Sequence, residues 1–384
     1  MKNIQINIFD TNLVWQNAID DIQTFVHRYS WNEMPNSELT ISRTAQGAED
    51  LQIGRIVIAN NMLNKAMIID EIRANIAEDV WEVNLIPLKA LLNYRIAHPT
   101  DSGTFTGLSQ SEVMMSLVSR NLISQNRDPD RKFWNSDQTI NLLSNASIKK
   151  YGDLIDYSID WGTGFLGDAL IDISEMYDDI AGKYPIGWNI YIKSSLDGLE
   201  LDTFKHTNRT INQTNFSPVV FSEDFNNIKD AIYSNSMKDW ANMAYVTWND
   251  GSVDQVTAIA NIKHGRSTSF NRKEVIIGSD RNKVNEATAD GRAELNKRPK
   301  VESFTAEIID NPNTLSTFEK DWFLGDIVTI QSKSLKYDQI ISVDTQILEI
   351  EEVYDNGEYS INATFGESRL SLIQKIKNAI KQKK

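Results

Sequence analysis

The chain has 384 residues, a formal net charge of −14 and no cysteine. The missing thiols exclude disulfides and zinc–thiolate sites. The acidity argues against sequence-specific nucleic-acid binding, because such a surface repels phosphate backbones. Hydrophobic residues make up 41 % of the chain, an ordinary share for a globular protein, and the length allows about two to four folding units.

The N-terminus, Ile4-Gln5-Ile6-Asn7-Ile8-Phe9, alternates apolar and polar residues and so reads as a strand rather than a signal peptide. No unbroken apolar stretch approaches membrane-spanning length, so stable membrane insertion is not expected and synthesis in the cytoplasm is. Residues 1–98 are mostly β in pattern, with runs at Glu38–Ser42, Arg55–Ile58, Ala66–Ile72 and Trp81–Ile86, closed by a helical turn near Leu88–Leu92. The polar stretch from His98 to Gly107 fits a linker.

The period then changes. Ser109 and Glu112 have capping-box spacing ahead of an apolar face of Val113, Met114, Leu117 and Val118. A second helix is predicted from Gly167 to Ala181, with Leu170, Ile173, Met176, Tyr177 and Ile180 inward and Gly182 as its stop. Gly187–Ile192 reads as a strand, and Ser194–Asn215 as surface hairpins and loops. Asn249-Asp250-Gly251 is the turn of a hairpin between Asn242–Trp248 and Val253–Asn261. A helix near Ala287–Lys297 and strands from Val301 follow, and the chain ends on an apolar stripe ringed by lysines.

The first β-rich stretch is echoed near the end of the chain. Ile53-Gly54-Arg55-Ile56-Val57-Ile58 is answered by Leu324-Gly325-Asp326-Ile327-Val328-Thr329-Ile330. Ile69-Asp70-Glu71-Ile72 followed by Trp81-Glu82-Val83-Asn84 is answered by Ile347-Leu348-Glu349-Ile350 followed by Tyr359-Ser360-Ile361-Asn362. In the second copy Asp355-Asn356-Gly357 supplies tight-turn chemistry. Two readings fit: chance likeness among β-rich segments, or two related small barrels split by a long insertion.

Catalytic patterns are sparse. Gly162-Thr163-Gly164-Phe165-Leu166-Gly167 has dinucleotide-loop spacing, but Phe165 is bulky and no acid follows the next strand to hold a ribose. A glycine-rich loop entering a helix is the better account. The four histidines, His27, His98, His206 and His264, lack metal-ligand spacing. Among the nine tryptophans, Trp15, Trp31, Trp81, Trp188 and Trp248 sit in apolar runs and are assigned to the core. Trp134, Trp161, Trp240 and Trp322, with more polar neighbours, are candidates for an interface.

Several stretches, taken in order, resemble siphophage tail-associated (Tal-type) baseplate-hub proteins. They are Ile6–Asp10 with Trp31 and Ser37–Ile41, Gly54–Ile58, Met67–Ile72, Leu88–Ile96, Lys320–Thr329, and Thr364-Phe365-Gly366 before the closing helix. The resemblance implies a β-dominated α+β fold like the hub of contractile-tailed phage baseplates: two related small β-barrels with an inserted α+β region. The boundaries expected are a first barrel at 1–98, the inserted region at 99–224, the start of the second barrel at 225–262, and a return of the insertion at 263–299. The rest of the second barrel falls at 300–368 and a basic amphipathic helix at 369–384. The resemblance further implies a homotrimeric ring that caps the tail tube, docks on a distal tail protein hexamer and meets tape-measure and receptor-binding proteins. A short hub without a lytic domain, carried in the virion at the tail tip, is expected, with no cofactor, metal or catalytic residue. Interface candidates are Gly325, Asp326 and Ile327 on one strand and Ile373, Ile376 and Ile380 on the closing helix. Two alternatives stay open: a host cell-wall carbohydrate-binding tail protein, and a hub-associated endopeptidase.

Overall fold

Period-2 alternation in the N-terminal region builds strands β1 (Ile6–Phe9), β2 (Trp15–Ile19), β3 (Ile22–Ser30), β4 (Ser37–Ser42), β5 (Ile56–Ala59), β6 (Met67–Asn75) and β7 (Val80–Pro87). Their inward residues share one core, including Ile6, Ile8, Phe25, Leu39, Val57, Ile69 and Leu85. The computed structural model describes residues 4–124, 128–159, 163–176, 184–248, 253–257, 269–279, 284–296, 298, 301–309, 316–332 and 341–366.

The described residues fall into two units. One is drawn from residues 1–175, 185–230 and 306–363, the other from 176–184, 231–305 and 364–384. In the first unit, the stretch that reads as a linker instead forms a short helix α1 (Pro99–Ser102) and strand β8 (Thr104–Ser109), because Phe105 is buried. Helix α2 (Gln110–Val118) starts on the expected capping box, with the Ser109 backbone N–H donating to Glu112 at 3.0 Å, and buries the predicted face. Strands β9 (Leu143–Asn145) and β10 (Leu154–Ser158) follow, β10 antiparallel to β8.

Helix α3 (Leu166–Ser174) is shorter than predicted. Its Ser174 carbonyl accepts the Ile186 N–H at 3.1 Å, which turns the chain toward β11 (Gly187–Ile192). Met176 lies beyond the helix, and Tyr177, Ile180 and Gly182 fall outside the described residues. Strand β12 (Leu199–Phe204) pairs antiparallel with β11 and buries Leu199 and Leu201. Part of the expected surface loop is therefore core: a polar average hides two leucines spaced for one strand face.

The remaining strands are β13 (Val220–Ser222), β14 (Ile228–Ser236), β15 (Met243–Thr247), β16 (Val253–Thr257), β17 (Glu274–Gly278), β18 (Val301–Ile308), β19 (Ile327–Ser332), β20 (Ile341–Asp355) and β21 (Glu358–Gly366). The two predicted strands pair antiparallel as β15 and β16, with the Asn249–Gly251 turn outside the described residues, and β17 joins β15 in parallel. With helix α4 (Val284–Asn296) these strands make the second unit's small core of Ala241, Ala244, Val246, Ile277, Ala287 and Leu295.

Strand order repeats within the main sheet. The neighbours run β3-β4-β7-β6-β5 in the first copy and β14-β18-β21-β20-β19 in the second. The register repeats too. Ile56 faces Ile68 and Val57 faces Met67, as Ile327 faces Gln346 and Val328 faces Thr345. The sequence echo is thus reproduced in the hydrogen-bonded pairing. Strand β20 joins the copies: Ile341–Gln346 pair with β19, and Glu349–Asp355 pair with β3. At its end Asn356 and Gly357 have φ of 48° and 91°, the backbone the Asn-Gly turn demands.

Candidate functional site

Each copy turns into its strand at a glycine. Gly54 has φ 87° and Gly325 φ 90°, a region that costs other residues strain. The Gly54 N–H donates to the Ile69 carbonyl at 2.8 Å, and the Ile69 N–H to the Arg55 carbonyl at 2.9 Å. The Gly325 N–H donates to Ile347 at 2.8 Å, and the Ile347 N–H to Asp326 at 2.9 Å. The surroundings differ. A Cβ at Gly54 would meet nothing within 4 Å, whereas one at Gly325 would overlap the Trp31 ring. One at Gly187 would overlap the same ring. Trp31 therefore sits in a slot between two glycines, with its Nε1–H donating to the Pro185 carbonyl at 2.8 Å.

Next to this slot, where β20 crosses to β3, the interior is ionic. Lys65 comes from the turn after β5 and is 4 % exposed. Its Nζ lies 2.6 Å from Glu352 on β20 and 2.6 Å from Glu319, and it donates to the Tyr29 hydroxyl at 3.0 Å. The ammonium also faces the Tyr29 and Phe318 rings, 4.4 and 5.2 Å from their centroids. Tyr29 donates to Glu352 at 2.9 Å, and Tyr359 donates to its other oxygen. Burial alone would raise the Glu352 pKa, but the charge and hydrogen bond of Lys65, with Tyr359, hold it down at about 2. His27 stacks between Phe25 and Tyr29, and burial, with Lys65 adding to it, lowers its pKa to about 3. Lys89 donates to the Ser30 and Trp188 carbonyls, and burial brings it down to about 7. Glu349 is raised to about 7 by burial, then by Glu33 and Glu351.

These shifts set the pH dependence of stability. His27 takes up its proton near 6.5 when unfolded but near 3 when folded, so its contribution is lost as pH falls through that window. Glu352 contributes fully above 4.5, and its contribution is lost as pH falls toward 2. Glu349 acts in the opposite sense, stabilising below 4.5 and losing that effect as pH rises to about 7. Lys89 disfavours the fold at neutral pH, a penalty that fades as pH rises from about 7 toward 10.5. Urea midpoints are therefore expected to change little between pH 4.5 and 6.5, where His27 and Glu349 offset each other. They should fall steeply below 4.5. One uniform slope from pH 6.5 down to 3 would contradict this assignment.

On the opposite face of the join, Arg28 pairs with Glu38 on β4 at 2.9 Å and with Glu351 on β20 at 2.6 Å, and Asn362 on β21 donates to Glu351 at 2.9 Å. Both faces of the β3–β20 seam are thus crossed by polar side chains. Sequence reasoning missed this cluster. The residues Lys65, Glu319 and Glu352 carry no local pattern, and the acidic pair Glu351-Glu352 reads as a solvated face.

The interface candidates Gly325, Asp326 and Ile327 lie side by side and are buried. Burial lifts the Asp326 carboxyl above its ordinary value, against the Phe323 N–H and Arg209. Surface beside them is supplied by Arg209, Ile211, Phe216 and Phe323. Ile373, Ile376 and Ile380 lie outside the described residues. Trp240 and Trp322, expected at the surface, are buried, Trp322 edge-on to Phe221. Trp15, expected in the core, is 54 % exposed. Hydrophobic neighbours in sequence alternate faces in a strand, so a tryptophan's own parity decides its side. Gly162 lies outside the described residues, and the last part of the glycine loop enters α3 through protein contacts. The Leu166 N–H donates to Arg95, the Asp168 N–H donates to Asn93 Oδ1 at 3.1 Å, and a Cβ at Gly167 would meet that oxygen at 2.5 Å. Asn93 thus occupies the place a phosphate would need.

Residues 5–367 match the family model of siphovirus ReqiPepy6 Gp37-like proteins. The chain belongs to this family. Solved structures agree in fold. The 43 kDa tail protein of prophage MuSo2 from Shewanella oneidensis shares 11 % identity over 95 % of this chain and 98 % of its own, with a TM-score of 0.56. The tail protein from Neisseria meningitidis MC58 shares 10 % identity over 96 % and 97 %, with a TM-score of 0.54. The prophage tail protein gp18 from Listeria monocytogenes EGD-e shares 10 % over all of both chains, with a TM-score of 0.50. Comparison with curated proteins finds no match. The Gp37-like chain shares the β-dominated fold of these tail proteins.

Proposed function

We propose that this Gp37-like chain is the tail-tip hub, three copies forming a ring that caps the tail tube and docks on the distal tail protein hexamer. The observation that carries the reading is the repeated strand order with its repeated register. Two copies of one β module, each a small barrel, give a subunit two similar faces, and three such subunits offer a near-sixfold surface to a hexameric partner. The buried ionic seam at Lys65 and Glu352 supports it, because near-sixfold matching requires the two modules to keep one fixed relation within the first unit. The ring would meet tape-measure and receptor-binding proteins on its two sides, and would take part in host attachment and DNA ejection as a structural part rather than an enzyme.

Size-exclusion chromatography with light scattering tests the ring. A mass near three times the 43.7 kDa of the chain is expected. A stable twofold dimer would overturn the reading, since a twofold axis leaves no central channel for the tail tube.

A further inference from the structure

Beside the buried Gly325 corner lies a preformed socket. Arg209 donates from Nε to the buried Asp326 at 2.7 Å, and its guanidinium faces the exposed rings of Phe216 and Phe323, 5.3 and 5.8 Å from their centroids. The backbone that carries each ring is held in place. The Phe216 and Asn215 N–H groups donate to Gln213 Oε1, Gln213 Nε2 donates to the Phe216 carbonyl, and the Phe323 N–H donates to Asp326 at 2.9 Å. Among the described residues the two terminal nitrogens of Arg209 donate to nothing, and 15 % of the side chain remains open. A guanidinium with two terminal donors to spare between two aromatic faces is suited to a carboxylate carried next to an apolar side chain. Prior ordering of the backbone beneath both rings removes part of the entropy loss of binding.

The same unit carries the complement. The β6–β7 turn presents Ile76, which is 78 % exposed, then Ala77, Glu78 and Asp79, all exposed. Asn75 Oδ1 accepts the Glu78 N–H at 3.3 Å, and Arg43 pairs with Asp79 at 3.4 Å, so the tip is shaped. The Glu78 carboxylate pairs with no described residue.

We propose that the Ile76–Glu78 tip of one copy seats in the Arg209, Phe216 and Phe323 socket of the next, Glu78 on the guanidinium and Ile76 between the rings. This rests on the ring reading and deepens it. The tip belongs to the first copy of the repeat; the socket is a different surface, formed by Arg209 and Phe216 from the segment before β13 and by Phe323 ahead of β19. The contact is therefore head-to-tail, the kind that closes a ring rather than a pair.

Light-scattering mass against concentration tests it with E78R, R209E and the double reversal E78R/R209E. Each single reversal is expected to weaken association about tenfold or more, and the double to restore it. Because Arg209 also pairs with Asp326, a second arm avoids it. I76C chains mixed with F216C chains and a mild thiol oxidant should give a reducible cross-linked dimer that neither variant gives alone, readable because the chain has no other cysteine. A trimeric wild type with an unchanged E78R and no cross-link would overturn the contact and leave the ring standing. A wild type monomeric at every concentration would remove the ring reading, and this contact with it.

Discussion

Lys65→Met is expected to destabilise the fold by about 3–5 kcal/mol, because it leaves the Glu352 carboxylate buried without its cation. Glu352 is only 9 % exposed, and the two tyrosine hydroxyls that remain cannot neutralise it. Methionine preserves the length of the side chain and its packing on the Tyr29 and Phe318 rings, so the loss reports the charge. The double variant Lys65→Met with Glu352→Met should lose clearly less than the sum of the single changes, because no uncompensated charge is left inside. Guanidinium unfolding of the four chains measures this. A single-variant loss below about 1 kcal/mol would put the pair in the class of exposed salt bridges and remove it as the clamp of the seam.

Gly325→Ala is expected to be far more damaging than Gly54→Ala, although both positions have φ near 90°. Gly54→Ala meets open space, so it carries backbone strain alone, about 1–3 kcal/mol. Gly325→Ala carries the same strain and also drives a methyl into the Trp31 ring, which Gly187 prevents from moving away on its other side. Overpacking of that kind adds about 1–3 kcal/mol. The pair of variants thus separates conformation from packing within one experiment, using the repeat as its own control. Equal thermal or urea midpoints would show that the Trp31 slot is loose. Trp31→Ala should also be severely destabilising, by about 3–5 kcal/mol, for loss of the ring itself.

Much of the local structure was legible in the sequence because its causes are local. The Ser109–Glu112 capping box, the Asp355–Gly357 turn and the β11 strand each depend on residues within a few positions of one another. The internal repeat was legible for a related reason. A strand pattern written twice leaves the same alternation and the same glycine, and the pairing of Ile56 with Ile68 and Ile327 with Gln346 repeats with it. Where the reading failed, a composition average stood in for a position. Ser194–Asn215 is polar overall, yet Leu199 and Leu201 face the core. Polar neighbours suggested a surface site for Trp322, yet it is buried against Phe221.

The candidate site was not legible, because its parts are far apart along the chain. Lys65 and Glu352 are separated by 287 residues, and Arg209 and Asp326 by 117. By itself the sequence determined the β-dominated class, the repeated strand pattern and the acidic, cysteine-free character, since these are properties of order and composition. Only the tertiary structure decided which charges are buried together, which glycine touches a ring, and which aromatics stay at the surface beside the Arg209 guanidinium. Coulomb attraction and close packing act through space over a few ångströms, and the distance along the chain carries no record of either.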